Sequence, residues 1–92
     1  MPKVFKIGGY TVYFWSNEND PLEPIHVHVA KGTPNKNATK IWITSTGKAF
    51  VKEWKADIDK KDQKNIIRVI EANNSFIIDK WMQQFGEVSY YC

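Results

Sequence analysis

The first 55 residues alternate between apolar and polar positions, and this pattern predicts β-strands. "VFKIGGYTVYFW" holds two strand-like runs joined by Gly8 and Gly9, a pair that readily adopts the positive φ of a tight hairpin turn. "IHVHVA" and "ATKIWIT" predict two further strands, and "AFVKEW" predicts a fifth, edge-like one. Polar loops rich in turn-forming residues separate these runs.

From Asp57 onward the apolar residues recur at helical spacing. The isoleucines of "NIIRVIE" predict one helix, with Asp57 or Asp59 as its N-cap. "NSFIIDKWMQQF" predicts a second helix with an apolar stripe, and Gly86 is well placed to end it. We therefore expect an α+β fold, in which two C-terminal helices pack on one face of a mostly antiparallel sheet of four to five strands.

Composition places the chain among small globular proteins. Ninety-two residues predict a single domain spanning residues 1–92. Its N-terminus has no long apolar run, and its single cysteine, Cys92, excludes an intramolecular disulfide, so we expect a cytoplasmic protein with no membrane partner. Aromatic residues make up 14% of the chain, which is more than one small core accommodates, so some rings should face solvent or a partner.

Period-two geometry assigns both histidines to one face of the sheet. In "IHVHVA" the valines alternate with His26 and His28, so if the valines face the helices, the histidines project to the opposite, open side. The same rule sends polar and aromatic residues of the neighbouring strands to that side. The candidate functional surface comprises Tyr13, Trp15, His26, His28, Lys40 and Trp42. Because clustered apolar area usually marks a contact surface, we interpret this face as a binding surface.

Three roles are open to the histidine pair. Residues at i and i+2 on a strand can converge on a metal ion, provided that a carboxylate such as Asp20 or Glu23 joins His26 and His28. Unshifted histidines also titrate near neutrality and suit ribonuclease-like acid–base chemistry. In the third role they are half-exposed strand residues that stack on neighbouring rings. No catalytic residue is assigned by a motif, and no cofactor is predicted.

The middle of the chain is rich in lysine. Residues 31–55 contain six lysines and a single acidic residue, Glu53. The whole chain carries a net charge of +3. The six are Lys31, Lys36, Lys40, Lys48, Lys52 and Lys55. Such a stretch can follow a phosphate backbone, which makes nucleic acid a candidate partner, but lysines also solubilise surfaces and protect sheet edges.

Three segments carry a resemblance to a known family. "MPKVFKIGGYTVYFWSNE", "PIHVHV" and "DKWMQQFG" resemble a small bacterial family of unknown function, DUF4160. The matching positions are Met1, Pro2, Phe5, Gly8, Gly9, Phe14, Pro24, His26 to Val29, Trp81, Phe85 and Gly86. Ile25 departs from the family pattern, which often has a second proline there. The resemblance implies a gene pair of toxin–antitoxin type, and it implies no catalytic residue.

Two hypotheses follow for function. In the first, the protein is the interaction module of a toxin–antitoxin-like two-component pair and binds a small partner protein, encoded nearby, through the aromatic and histidine face. In the alternative, it is a small ribonuclease-like or metal-dependent enzyme that uses His26 and His28. The sequence leaves enzymatic activity open.

Overall fold

A five-stranded antiparallel sheet forms the first half of the fold. The computed structural model describes residues 3–15, 21–55 and 58–92. The strands are β1 (Lys3–Ile7), β2 (Tyr10–Tyr13), β3 (His26–Lys31), β4 (Thr39–Ile43) and β5 (Ala49–Phe50). Each strand pairs with the next along the chain, so the order in the sheet is β1-β2-β3-β4-β5. At the β1–β2 hairpin the turn passes through Gly8 with φ of 55°, as the Gly-Gly pair predicts.

Two helices, α1 (Lys60–Ala72) and α2 (Asn74–Phe85), follow the sheet. The N-cap of α1 is Asp59, whose carboxylate accepts a hydrogen bond from the Asp62 amide at 2.9 Å. The other predicted cap, Asp57, lies outside the described residues. Gly86 ends α2 in the left-handed conformation and donates its N–H to the Met82 carbonyl. No helix in the described part of the chain is long and apolar enough to cross a membrane.

Both helices pack on the sheet face that carries the valines. Ile66 and Ile70 of α1 and Ile77 and Trp81 of α2 are fully buried in the core. The sheet contributes Val12, Phe14, Val27, Val29, Ile41 and Ile43 to the same cluster. The predicted α+β fold, with its antiparallel sheet and two helices on one face, is therefore confirmed.

The C-terminal segment, residues 87–92, runs along one end of the sheet without joining it as a strand. The Ile25 amide donates to the Ser89 carbonyl at 2.8 Å, and the Ser45 amide donates to the Cys92 carbonyl at 2.9 Å. The indole N–H of Trp81 donates to the Glu87 carbonyl at 3.0 Å. These bonds fix the tail where β3 begins and β4 ends.

Candidate functional site

The strand register brings the six predicted residues together on the sheet face opposite the helices. Tyr13 lies across from His28, which lies across from Lys40, while His26 lies across from Trp42 in the next row. Trp15 follows β2, and its ring meets those of Tyr13 and His28 at 5.4 and 5.8 Å between centroids. We call this set, Tyr13, Trp15, His26, His28, Lys40 and Trp42, the histidine face.

Ring contacts run continuously across the histidine face. The Tyr13 and His28 rings stack at 5.5 Å with an interplanar angle of 28°. The two histidine rings meet edge to face at 5.0 Å, and His26 in turn meets Trp42 at 5.1 Å. Edge-to-face and offset contacts of this kind hold rings in fixed orientations. The face is therefore an ordered aromatic surface rather than a set of separate side chains.

The prediction that this face is open is wrong for half of its members. Tyr13, His26 and Trp42 have exposed fractions of only 0, 1 and 8%. Trp15, His28 and Lys40 are half-buried and form the accessible part. Tyr13, His26 and Trp42 are buried because neighbouring segments cover them. Alternation within a single strand does not predict such coverage.

Two of the covering contacts come from the C-terminal part of the chain. The Tyr91 ring lies nearly parallel to Trp42, at 4.8 Å and 16°. The Trp81 ring meets Phe14 on the helix side of the sheet at 5.2 Å and also meets His26 at 5.4 Å. The helical spacing of Trp81 predicts a core position, and its full burial confirms this. Its contact with His26 lies at the end of the sheet where β3 begins.

A hydrogen bond fixes the orientation of the His26 ring. Its Nδ1 lies 2.9 Å from the carbonyl oxygen of Pro24. Because a carbonyl can only accept, Nδ1 carries the proton and donates it. His26 is thus a buried side chain with a fixed ring, which suits a structural role better than proton transfer with solvent.

The Tyr13 hydroxyl is likewise held in place. It donates to the carbonyl oxygen of Asn35 at 3.1 Å. Burial raises the pKa of Tyr13 above its ordinary value of 10.0, so the phenol is protonated at neutral pH. It can support neighbouring rings as a neutral group, and it is not available as a base.

Of the two acidic residues predicted as metal ligands, only Glu23 is among the described residues, and it forms an ion pair with a lysine. The carboxylate of Glu23 lies 2.6 Å from the Lys40 ammonium, and Asp20 lies outside the described residues. Across the described ranges, no group of three or more histidine, cysteine, aspartate or glutamate side chains is placed to hold a metal ion. The described residues therefore supply His26 and His28 without a third ligand, which a zinc site requires.

A second aromatic group borders the histidine face and was missed by strand periodicity. The Tyr91 ring is nearly parallel to Phe50 as well as to Trp42, at 6.0 Å and 11° from Phe50. We call Trp42, Phe50 and Tyr91 the ring stack. Phe50 lies on a strand of two residues and Tyr91 in an irregular tail, and neither segment is long enough for a periodic pattern. The only sequence signal was the excess of aromatic residues.

The six lysines of residues 31–55 do not form one stripe. Lys31 ends β3 at the Gly8-Gly9 end of the sheet, whereas Lys48 lies in the β4–β5 turn at the other end. Two lysines lie against rings instead: the Lys40 ammonium is 4.3 Å from the Trp42 centroid, and the Lys52 ammonium is 4.6 Å from that of Tyr91. The remaining two, Lys36 and Lys55, are exposed.

Comparison with family models identifies the chain. The model described as "Domain of unknown function (DUF4160)" matches residues 9–82. The chain belongs to this family. In this DUF4160 protein the match runs from the β1–β2 turn into α2, so it includes the whole histidine face, whereas Tyr91 lies beyond it. No curated protein and no solved structure matches the chain.

Proposed function

We propose that this DUF4160 protein is the binding module of a bacterial, cytoplasmic two-component pair of toxin–antitoxin type, and that it binds a small protein encoded nearby. One observation carries the proposal: half-exposed Trp15, His28 and Lys40 rest on buried Tyr13, His26 and Trp42. Rings that are already fixed lose little conformational entropy on binding, and Trp and Tyr are enriched among residues that dominate interface energies.

The same geometry favours binding over catalysis by the histidine pair. With 1% of its surface exposed, His26 does not meet a substrate, and its Nδ1 is occupied by the Pro24 carbonyl. A two-histidine acid–base mechanism needs both rings within reach of the reacting atoms. Any catalytic role would therefore rest on His28, with His26 as its support.

Partner binding is tested by calorimetric titration of the protein with the purified product of the neighbouring gene. We expect Trp15→Ala and His28→Ala each to raise the dissociation constant by roughly tenfold or more, as truncation of residues that anchor an interface does. Phe76→Ala is the matched control, because Phe76 is an exposed ring on α2 that contacts Phe5 instead of the histidine face. Unchanged affinity in both face variants, or no binding of the gene product, would refute the proposal.

The single variant His28→Ala distinguishes the catalytic alternative from partner binding. A double histidine variant is unsuitable, since truncating His26 removes a buried ring between Trp42 and Trp81 and should cost about 2–4 kcal/mol of stability. If His28→Ala keeps its fold and its partner affinity but abolishes an effect on bacterial growth, the histidine acts chemically. If growth effect and affinity fall together, the face acts by binding.

A further inference from the structure

The ring stack offers exposed aromatic surface beside a cation. Phe50 and Tyr91 have 38 and 44% of their surfaces exposed, while Trp42, whose ring contacts that of Tyr91, is buried. Their planes are nearly parallel, and the Lys52 ammonium lies 4.6 Å from the Tyr91 centroid. The stack therefore has a buried base and an accessible edge, with the exposed Lys52 ammonium on its border.

We propose that the ring stack binds single-stranded nucleic acid. A nucleobase stacks on the exposed area of Phe50 and Tyr91, and the flexible Lys52 side chain moves from the ring to the adjoining phosphate. Base stacking on aromatic side chains beside a basic groove is the common mode of single-strand binding, and aromatic residues on the helix-free face of a sheet serve it in RNA-binding domains. This inference uses different exposed residues from the partner surface and does not rest on the proposed function.

The charges around the ring stack favour this occupant over an apolar protein surface. Lysine is depleted in the cores of protein interfaces, yet here the exposed Lys52 lies over the Tyr91 ring of the stack. Glu23, which would repel a phosphate, is neutralised by Lys40 at 2.6 Å. The net charge of +3 adds a long-range attraction to polyanions.

Single strands fit better than duplexes because only unpaired bases can present a free face to a side chain. In a duplex each base is stacked between its neighbours, and lysines would contact only the phosphates. The proposal therefore predicts a preference for single strands that simple charge attraction does not give.

The experiment measures fluorescence anisotropy of a labelled twelve-nucleotide oligouridine with the full chain at low salt. Tyr91→Leu and Phe50→Leu keep apolar bulk but remove the planar ring, and each should weaken binding by roughly 5- to 150-fold. Tyr91→Phe keeps the ring and should bind about as the parent does. Lys52→Gln should weaken binding and reduce the slope of log affinity against log salt by about 1.

Phe76 and Lys80 provide a matched control elsewhere on the surface. The Lys80 ammonium lies 5.4 Å from the Phe76 centroid, and Phe76 is 44% exposed, but its only ring neighbour among the described residues, Phe5, is tilted by 36°. Phe76→Leu and Lys80→Gln should leave oligouridine binding unchanged. Circular dichroism and thermal melting establish that every variant is folded before its affinity is compared.

Three results would overturn the inference. The first is no oligouridine binding at millimolar protein, and the second is equal binding of a duplex of the same length. The third is loss of affinity for the partner protein, but not for the oligonucleotide, in Tyr91→Leu and Phe50→Leu. That result would make the ring stack a protein-docking site.

Discussion

At the scale of single residues, Tyr13 and His26 show how polar rings become structural parts of a sheet face. Each is almost fully buried, and each donates a hydrogen bond to a backbone carbonyl. The Tyr13 hydroxyl donates to Asn35, and the His26 Nδ1–H donates to Pro24. Alternation along β2 and β3 predicts which side these residues occupy, since side-chain direction is a local property. It does not predict their burial, because the burial depends on residues distant in sequence, such as Asn35 beside Tyr13 and Trp81 beside His26.

Burial of Tyr13 gives stability a specific dependence on alkaline pH. Because the pKa of Tyr13 is raised in the folded protein, its unfolded form ionises first, near pH 10. Its contribution is therefore fully present below pH 10 and is lost as pH rises through the folded pKa. Tyr13→Phe should cost about 1 kcal/mol at pH 8 through the lost hydrogen bond, and this difference should shrink above pH 10.

Urea unfolding of both proteins at intervals between pH 8 and 11 measures the Tyr13 effect. Parallel stability curves for the parent and Tyr13→Phe would show that Tyr13 ionises alike in the folded and unfolded chains. A growing difference at high pH would contradict the raised pKa directly.

At the scale of elements, the strands and helices follow from sequence patterns, while their junctions depend on three-dimensional neighbours. The sequence predicts the Gly8-Gly9 turn and the end of α2 at Gly86, because backbone positions with positive φ favour glycine. The β4–β5 turn also contains a positive-φ glycine, Gly47, but its neighbour Asn74 at the start of α2 is not readable from local sequence. The residue type that a turn requires follows from local sequence, whereas the residue that packs against the turn does not.

Gly8 and Gly47 form a natural pair for testing that distinction. A Cβ at Gly8 would meet nothing within 4 Å, whereas one at Gly47 would lie 3.1 Å from the Asn74 side-chain oxygen. Gly8→Ala should cost about 1 kcal/mol for its left-handed conformation alone. Gly47→Ala should cost more, because Asn74 must also move.

Thermal or urea unfolding of the two alanine variants gives the comparison between the turns. The double variant Gly47→Ala with Asn74→Ala, compared with Asn74→Ala alone, serves as the control, since the excess cost of Gly47→Ala should be smaller where the Asn74 side chain is absent. Equal destabilisation by Gly8→Ala and Gly47→Ala would mean that the Asn74 contact has no energetic weight.

At the scale of the whole molecule, the tail joins the two faces of the sheet at one end. Glu87 accepts from Trp81 of the core, Ser89 from Ile25, and Tyr91 covers Trp42 of the histidine face. Neither period two nor period 3.6 describes such an irregular segment, so its course was unpredictable from the sequence. The strand patterns correctly predict that the six residues share one face, but the exposure of that face depends on this tail.

Deleting residues 87–92 should therefore affect specific amides. We expect those of Ile25 and Ser45 to lose protection from hydrogen exchange, and global stability to fall by about 1–3 kcal/mol, since three hydrogen bonds are lost. The Val27 amide, inside β3, is the internal reference. If the Ile25 and Ser45 amides, relative to that of Val27, exchange no faster in the truncated chain than in the full chain, the tail contacts do not persist in solution.

The sequential strand order also determines when the apolar surfaces are covered during synthesis. Each strand pairs with the one made just before it, so the sheet can assemble as the chain leaves the ribosome. The helices that cover Val27 and Ile41 are made after all five strands, and Trp81 belongs to the second helix. Until both helices are made, the apolar side of these strands has no cover, so we expect chains truncated before α1 to bind chaperones or aggregate.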